Sequence, residues 1–219
     1  RALILTASGG PFLRYSRRRL DRVRPEDALR HPNWSMGKKV TIDSATMMNK
    51  GLEVIEARWL FNAPLDTIKV YVHPQSIVHA MLELDDGNVM AHMSAPDMKG
   101  PIAHALFYPD SCADQLAPVD LARIKTLQFE NPDLKKFPCL ALAYRALEAG
   151  ETMPAVLNGA NEVAVHAFLS RRIGFSHIPA INRHTMELFS PARISCLDDV
   201  LLADGWARRT AGELISRLN

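Results

Sequence analysis

Two hydrophobic periods run along this chain of 219 residues, a period of two in the first half and a helical period in the second. The apolar run Ala2-Leu3-Ile4-Leu5 predicts a buried strand over residues 1–7, running into the turn Ser8-Gly9-Gly10-Pro11-Phe12. Residues 13–37 are polar and irregular, with a short helix predicted over 25–30. A three-residue alternation, Val40-Thr41-Ile42, predicts a half-buried strand, after which Asp43 and Ser44 are N-cap types that open a helix. In that helix Met48, Leu52, Ile55 and Trp59 recur at i, i+4, i+7 and i+11, which predicts one apolar stripe facing a core. Residues 67–73 alternate as a strand, and 77–84 with 89–94 read as a hairpin around Asp85-Asp86-Gly87-Asn88.

Beyond this hairpin the pattern changes. A short helix is predicted over 101–108, then a proline-rich surface linker over 109–138. Helices are predicted over 139–149, 155–172, 178–189 and 197–218. The expected fold class is α+β: a small mixed sheet flanked by helices with a lid loop, followed by a C-terminal four-helix bundle. The expected domains are a substrate-binding catalytic domain over 1–108 with a lid at 9–37, the linker at 109–138, and the bundle at 139–219.

Composition narrows the class. At 47% hydrophobic and 23% charged residues, a soluble globular protein is expected. No apolar run is long enough to span a membrane. Cys112, Cys139 and Cys196 are odd in number and lack CxxC spacing, which points to free thiols in a reducing compartment and away from a zinc site. The first residue is Arg1 and the opening strand is already in mid-pattern, so an N-terminal part is expected to have been removed or to lie elsewhere.

The net charge of +2 is unevenly placed: residues 1–50 hold eleven Lys/Arg and four Asp/Glu, which is +7 and leaves −5 for the remainder. A basic front half suits an anionic small ligand. Nucleic acid is disfavoured, because Tyr15 is the one aromatic among Arg14, Arg17, Arg18, Arg19, Arg22 and Arg24, and no binding motif is present. The arginines also fit a merely solvated loop.

The chemistry concentrates between Ser44 and Glu53. A hydroxyl at Ser44, an amide at Asn49 and an ammonium at Lys50 suit a phosphate group, and Glu53 a hard cation. The same Lys50–Glu53 spacing also fits an ordinary helix-surface pair. Gly51 inside a helix costs roughly 1 kcal/mol relative to alanine, so a close backbone approach is expected there. Ser8 with Gly9-Gly10 allows an anion-cradling nest, or only a turn. His73, His79, His92 and His104 lack metal-ligand spacing and read mostly as strand or surface residues. Asn158, Asn161 and Glu162 read as interhelical or surface hydrogen-bonding groups, and no GxGxxG dinucleotide fingerprint occurs.

Several motifs occur in the order and spacing of one family: Ser8-Gly9-Gly10-Pro11-Phe12, His31-Pro32-Asn33-Trp34-Ser35-Met36-Gly37, the stretch from Asp43 to Glu53, His73-Pro74-Gln75-Ser76, Pro96-Asp97-Met98 and Asn158-Gly159-Ala160-Asn161-Glu162. The chain thereby resembles the 1-deoxy-D-xylulose 5-phosphate reductoisomerases along its whole length. The resemblance implies conversion of that substrate to 2-C-methyl-D-erythritol 4-phosphate in the non-mevalonate isoprenoid pathway, with NADPH and Mg²⁺ or Mn²⁺. By resemblance Ser8, Ser44, Asn49 and Lys50 bind the substrate phosphate, and Glu53 is a metal ligand that also contacts substrate. His31, Trp34 and Met36 are lid residues, Met36 approaching the nicotinamide, and Gly37 is a backbone contact to NADPH. Catalytic roles are implied for Glu53, Lys50 and His31.

The family also has an N-terminal NADPH-binding domain and an acidic segment with further metal carboxylates. Neither precedes Arg1, so this polypeptide is expected to be a catalytic and C-terminal portion, inactive alone. The other expectations from the resemblance are a homodimer paired through sheet edges, and a bacterial cytoplasmic or plastid setting. Competing readings are a metal-dependent phosphosugar isomerase or aldol-type lyase without a redox step, and a non-catalytic phosphate-binding or dimerisation module.

Overall fold

The opening apolar run forms an inner strand of a four-stranded mixed sheet. In the computed structural model of the chain, which describes residues 1–30, 36–111 and 117–218, β1 is Ala2–Ala7. It pairs in parallel with β2 (Ile68–Val72) and antiparallel with β3 (Val78–Glu83), and β3 pairs antiparallel with β4 (Val89–Met93). The order is therefore β2-β1-β3-β4. Ala2 and Ile4 of β1 and Ile68, Val70 and Val72 of β2 are buried, as their alternation requires. The outer edge of β2 is closed by two backbone hydrogen bonds, Val72 N–H to Glu130 O at 2.8 Å and Glu130 N–H to Val72 O at 2.9 Å. The expected linker thus adds a bridge to the sheet.

Between β1 and β2 the described residues form four α-helices, α1 (Arg17–Leu20), α2 (Pro25–Ala28), α3 (Lys38–Thr46) and α4 (Met48–Leu60), and a 3-10 turn over Leu65–Thr67. Leu20, Val23 and Ala28 are buried and join the core, while Arg14, Arg17 and Arg19 stay outside it and find partners. Arg14 forks onto Glu130, Arg17 reaches Asp133 at 3.4 Å, and the Arg19 guanidinium sits 3.7 Å from the centre of the Tyr15 ring. Exposed pairs of this kind are individually weak in water. Together they seat the stem of the loop on residues 130–133.

Two expectations fail here. The strand predicted at 40–42 is α3, because three alternating residues are too few to separate the two periods. The buried positions Thr41, Ile42, Ala45 and Thr46 repeat at i, i+1, i+4 and i+5, one face of a helix, and Asp43 is buried beside them. Asp43 and Ser44 accordingly lie in the last turn of α3 and do not cap α4. The break comes at Met47, a left-handed residue at φ 61° that donates its N–H to Ser44 O.

The predicted stripe on α4 is also rotated. Met48, Gly51, Val54 and Ala57 are the buried positions, Leu52 and Ile55 flank them, and Trp59 is 66% exposed. The cause is a neighbouring helix, α7 (Pro138–Ala149), which packs against the small side of α4. A Cβ on Gly51 would lie 2.7 Å from Cβ of Ala143, so the glycine permits the close approach that its cost implied.

After β4 come α5 (Lys99–Phe107), α6 (Leu121–Ile124), α7, α8 (Met153–Leu169), α9 (His177–Glu187) and α10 (Leu197–Ser216). Helix α8 packs against both α9 and α10. Helix α10 presents Ala203, Ala207, Ala211 and Ile215 at four-residue spacing, and Gly159 of α8 faces it. One cluster of buried apolar side chains extends from Ala7 through Phe12, Ile42 and Met48 to Leu157, Phe168 and Ile215. Glu162 of α8 meets Arg208 of α10 at 2.7 Å, the interhelical role expected of it.

Gly51→Ala tests the α4–α7 packing. Alanine returns about 1 kcal/mol of helix propensity, but overpacking costs about 1–3 kcal/mol. The thermal midpoint, followed by circular dichroism, is expected to fall by about 2–6 °C. A midpoint above wild type would mean that α7 yields at less cost than the helix propensity gained.

Candidate active site

A cleft of about 700 Å³ opens where the C-terminal end of β1 meets the α3–α4 corner and the exposed face of β3 and β4. Its walls derive from local chain geometry. At the end of β1 the chain turns through Gly9 and Gly10, at φ 81° and 64°, values open to glycine without strain. A Cβ on Gly10 would lie 2.7 Å from Ser44 O, so this turn presses directly against the last turn of α3. The Gly10 N–H donates to Ser8 Oγ at 3.1 Å, which makes the sequence a hydroxyl-closed turn at that position and commits one of the N–H groups of the expected nest.

Ser8, Ser44, Asn49, Lys50 and Glu53 all line the cleft. They reach it from two helices and a strand end, separated by the Met47 break. Asn49 Nδ2 donates to Glu53 Oε1 at 2.7 Å, and the Lys50 ammonium pairs with Glu53 Oε2. One carboxylate therefore sets both donors. The Lys50 side chain is only 12% exposed, so its charge acts in a medium less screening than bulk water. Such a cluster of hydroxyls, an amide and a half-buried ammonium is chemistry for an oxyanion with several acceptor oxygens.

Met36 lines the cleft at the exit of the loop, and Gly37 is the exposed N-cap of α3 with open space around its Cα. His31 and Trp34, the other expected lid residues, lie outside the described residues.

The opposite wall carries residues that the sequence reading passed over. His79 and His92 both line the cleft, with ring centres 5.7 Å apart. His79 Nε2 is 2.9 Å from Ser94 Oγ and 3.2 Å from Ser94 O. Burial pushes the His79 imidazole below its usual range, the charges of His92 and Lys50 push the same way, and the Ser94 carbonyl opposes them. The irregular register between Val78 and Ala80 is the local cause, since it places His79 at a bulge. Asp97, Met98 and Pro101 close the far end. Spacing along the chain carries no signal for His79 and His92, because they belong to different strands. His73 is buried against Phe129, with Nδ1 2.8 Å from Gln128 O, and serves the linker contact.

For a divalent metal the fit is incomplete. Glu53 and Asp97 are the carboxylates among the described residues lining the cleft, and no group of three His, Cys, Asp or Glu among the described residues is arranged to hold a metal ion. Hard cations take six or more oxygen ligands, so these residues alone do not build such a site.

Comparison with known proteins places this geometry. Residues 93–210 match the model of the DXP reductoisomerase C-terminal domain, and residues 1–61 match that of the 1-deoxy-D-xylulose 5-phosphate reductoisomerase C-terminal domain. The 1-deoxy-D-xylulose 5-phosphate reductoisomerase of Chlorobium phaeobacteroides is 59% identical over 209 residues, which are 95% of this chain and 55% of that protein. That of Trichlorobacter lovleyi is 56% identical over 216 residues, 99% of this chain and again 55% of the relative. The chain thus spans about half the length of the curated relatives it matches. The solved Zymomonas mobilis reductoisomerase in complex with NADPH superposes with a TM-score of 0.91 at 44% identity, over 98% of this chain and 55% of that one. A DOX-P reductoisomerase in complex with NADPH, fosmidomycin and magnesium gives 0.94 at 42%, over 99% and 55%.

The state of His79 is open to direct measurement. Its folded pKa is depressed, so its contribution to stability is fully present above the unfolded value of about 6.5 and is lost as pH falls through the folded value. An NMR titration is expected to show the His79 ring titrating below the ordinary histidine value of about 6.5. A His79 midpoint at or above that value would contradict the burial argument.

Proposed function

This chain belongs to the family of DXP reductoisomerase C-terminal domains, and from that premise we propose that it supplies the phosphate-binding and lid side of a reductoisomerase active site. The reaction is the conversion of 1-deoxy-D-xylulose 5-phosphate to 2-C-methyl-D-erythritol 4-phosphate with NADPH. The observation that carries this reading is the convergence of Ser8, Ser44, Asn49 and Lys50 on one cleft, with Glu53 bonded to the last two.

In this reading the phosphate is held away from the reacting carbons. Its binding energy then serves to position the sugar chain during skeletal rearrangement and hydride transfer. Lys50 supplies charge, and Ser8, Ser44 and Asn49 supply directed hydrogen bonds. Burial disfavours charge on the His79 ring, and a ring nitrogen there suits a hydrogen bond to a hydroxyl or carbonyl oxygen of substrate. The family resemblance assigns His31, Trp34 and Met36 to the lid, Met36 lines the cleft at the loop exit, and Gly37 offers its backbone to NADPH. Closure of that loop excludes water from the aldehyde intermediate. Glu53 contributes one carboxylate toward Mg²⁺ or Mn²⁺, and residues outside these 219 complete the ligand set and bind most of NADPH.

We further propose a homodimer. Among the described residues strand β4 is an edge of the sheet with Val89 and Met90 exposed, and Leu106 and Phe107 of α5 and Tyr108 at its C-cap are exposed after it in the chain. No helix among the described residues is long and apolar enough to cross a membrane. The proposed setting is the bacterial cytoplasm, as the relatives are bacterial. The pairing of Arg14 and Arg17 with Glu130 and Asp133 supports a partner other than nucleic acid.

The test joins the N-terminal part of the Chlorobium relative to this chain and follows NADPH oxidation with the phosphorylated substrate and Mg²⁺. Turnover is expected from the fusion and none from the 219 residues alone. Lys50→Ala in the fusion is expected to lower kcat/KM by about 10- to 100-fold, the worth of one charged hydrogen-bonding group. Substrate isomerisation without NADPH consumption would replace the proposal with a non-redox isomerase.

A further inference from the structure

A polar chain runs beneath the cleft, among residues that phosphate binding does not use. Asp43, the neighbour of Ser44, is 1% exposed. Its Oδ1 accepts from Asn161 Nδ2 of α8 at 2.8 Å, and Asn161 Oδ1 accepts from Asn182 Nδ2 of α9 at 3.0 Å. Both asparagines are fully buried. The other carboxylate oxygen forms an ion pair with Lys39 Nζ at 2.7 Å, one helical turn earlier in α3 and close to the loop exit at Met36-Gly37. The Cys139 thiol of α7 also borders Asp43, Thr46 and Asn182, and burial pushes it up to about 12, so it adds a neutral dipole to the group.

A buried carboxylate is costly, and breaking its partners is costlier still. An apolar residue at 43 would fill the same space without that cost, so the position asks for an explanation beyond packing. Direction provides one. Asp43 and Ser44 are about 100° apart on α3, so one points into the helical layer while the other points into the cleft. Immediately after them Met47 turns the chain into α4, which carries Asn49, Lys50 and Glu53. A bond that holds Asp43 therefore sets the rotation of Ser44 and the starting point of α4. It is anchored on α8 and α9, from which none of the described cleft-lining residues comes.

We propose that Asn161, backed by Asn182, is a positioning residue for the phosphate site, fixing the Asp43–Ser44 turn so that the C-terminal helices set the affinity of a cleft they do not line. The proposal rests on the reading of the cleft as a phosphate site, and its test separates the two.

Inorganic phosphate is titrated into the 219-residue chain while the amide resonances of Ser44 and Asn49 are followed by NMR, with thermal midpoints measured in parallel. Asn161→Ser, whose hydroxyl is too short to reach Asp43, is expected to weaken phosphate binding about tenfold at a temperature where it is fully folded. Asp43→Asn retains an oxygen for Asn161 Nδ2 and is expected to stay within about threefold of wild type. Ile215→Val lowers stability at a buried site of α10 away from the polar chain and is expected to leave affinity unchanged. A merely structural role predicts that affinity is insensitive to all three while the chain stays folded. Wild-type affinity in Asn161→Ser overturns the proposal. If Asn161→Ser does not fold, Asn182→Ala decides: a loss of about threefold supports the proposal, and unchanged affinity overturns it. No phosphate binding by the wild type, or equal binding by Lys50→Ala, overturns the reading of the cleft itself and the proposal with it.

Discussion

The corner between α3 and α4 is the constraint on which the site depends. It is confined on two sides by backbone and side-chain atoms that leave no room for a Cβ. Gly10 presses on the Ser44 carbonyl, and Gly51 admits Ala143 of α7. Between them Met47 adopts a left-handed conformation, which an unbranched side chain tolerates at modest cost when its surroundings enforce it. Met47 is 2% exposed, so burial of its side chain helps to offset that cost. Were the corner to relax, Ser44 would separate from Asn49 and Lys50, because they project from different helices.

Electrostatics follows from the same packing. The basic front half suggested by composition divides into two populations in the fold. Arg14 and Arg17 of the loop stem are exposed and are matched by Glu130 and Asp133. Lys50 is largely enclosed and shares Glu53 with Asn49. Enclosed charge is less screened and held by fewer rotamers, so this one ammonium weighs more on an anionic ligand than the exposed cluster does. Of the arginines conspicuous in the sequence, Arg14 and Arg17 serve the seating of the loop stem.

Strand β1, the hairpin of β3 and β4, and the four C-terminal helices were legible in advance, since each has a periodicity long enough to identify it. The cost of Gly51 correctly announced a close neighbour. Residues 40–42 were misread because the alternation was too short and the residues that bury it are distant. The stripe on α4 was misplaced because the largest apolar side chains were assumed to face the core. In the fold its small residues do so, and Trp59 is left exposed. His79 and His92 were passed over because they come together from different strands, with an irregular register at His79 that spacing does not show.

By itself, the sequence determined most of the element types, the α+β class and the family. All of these are written in local periodicity and in short runs of residue types. Only the tertiary structure decided how α4 is rotated, that residues 38–46 are helical, and that Asp43 is tied to Asn161 across 118 positions of sequence. Those outcomes depend on which distant surface arrives to bury a given face. Contacts of that kind follow from the packing of the whole chain and leave no periodic trace in any one stretch of it.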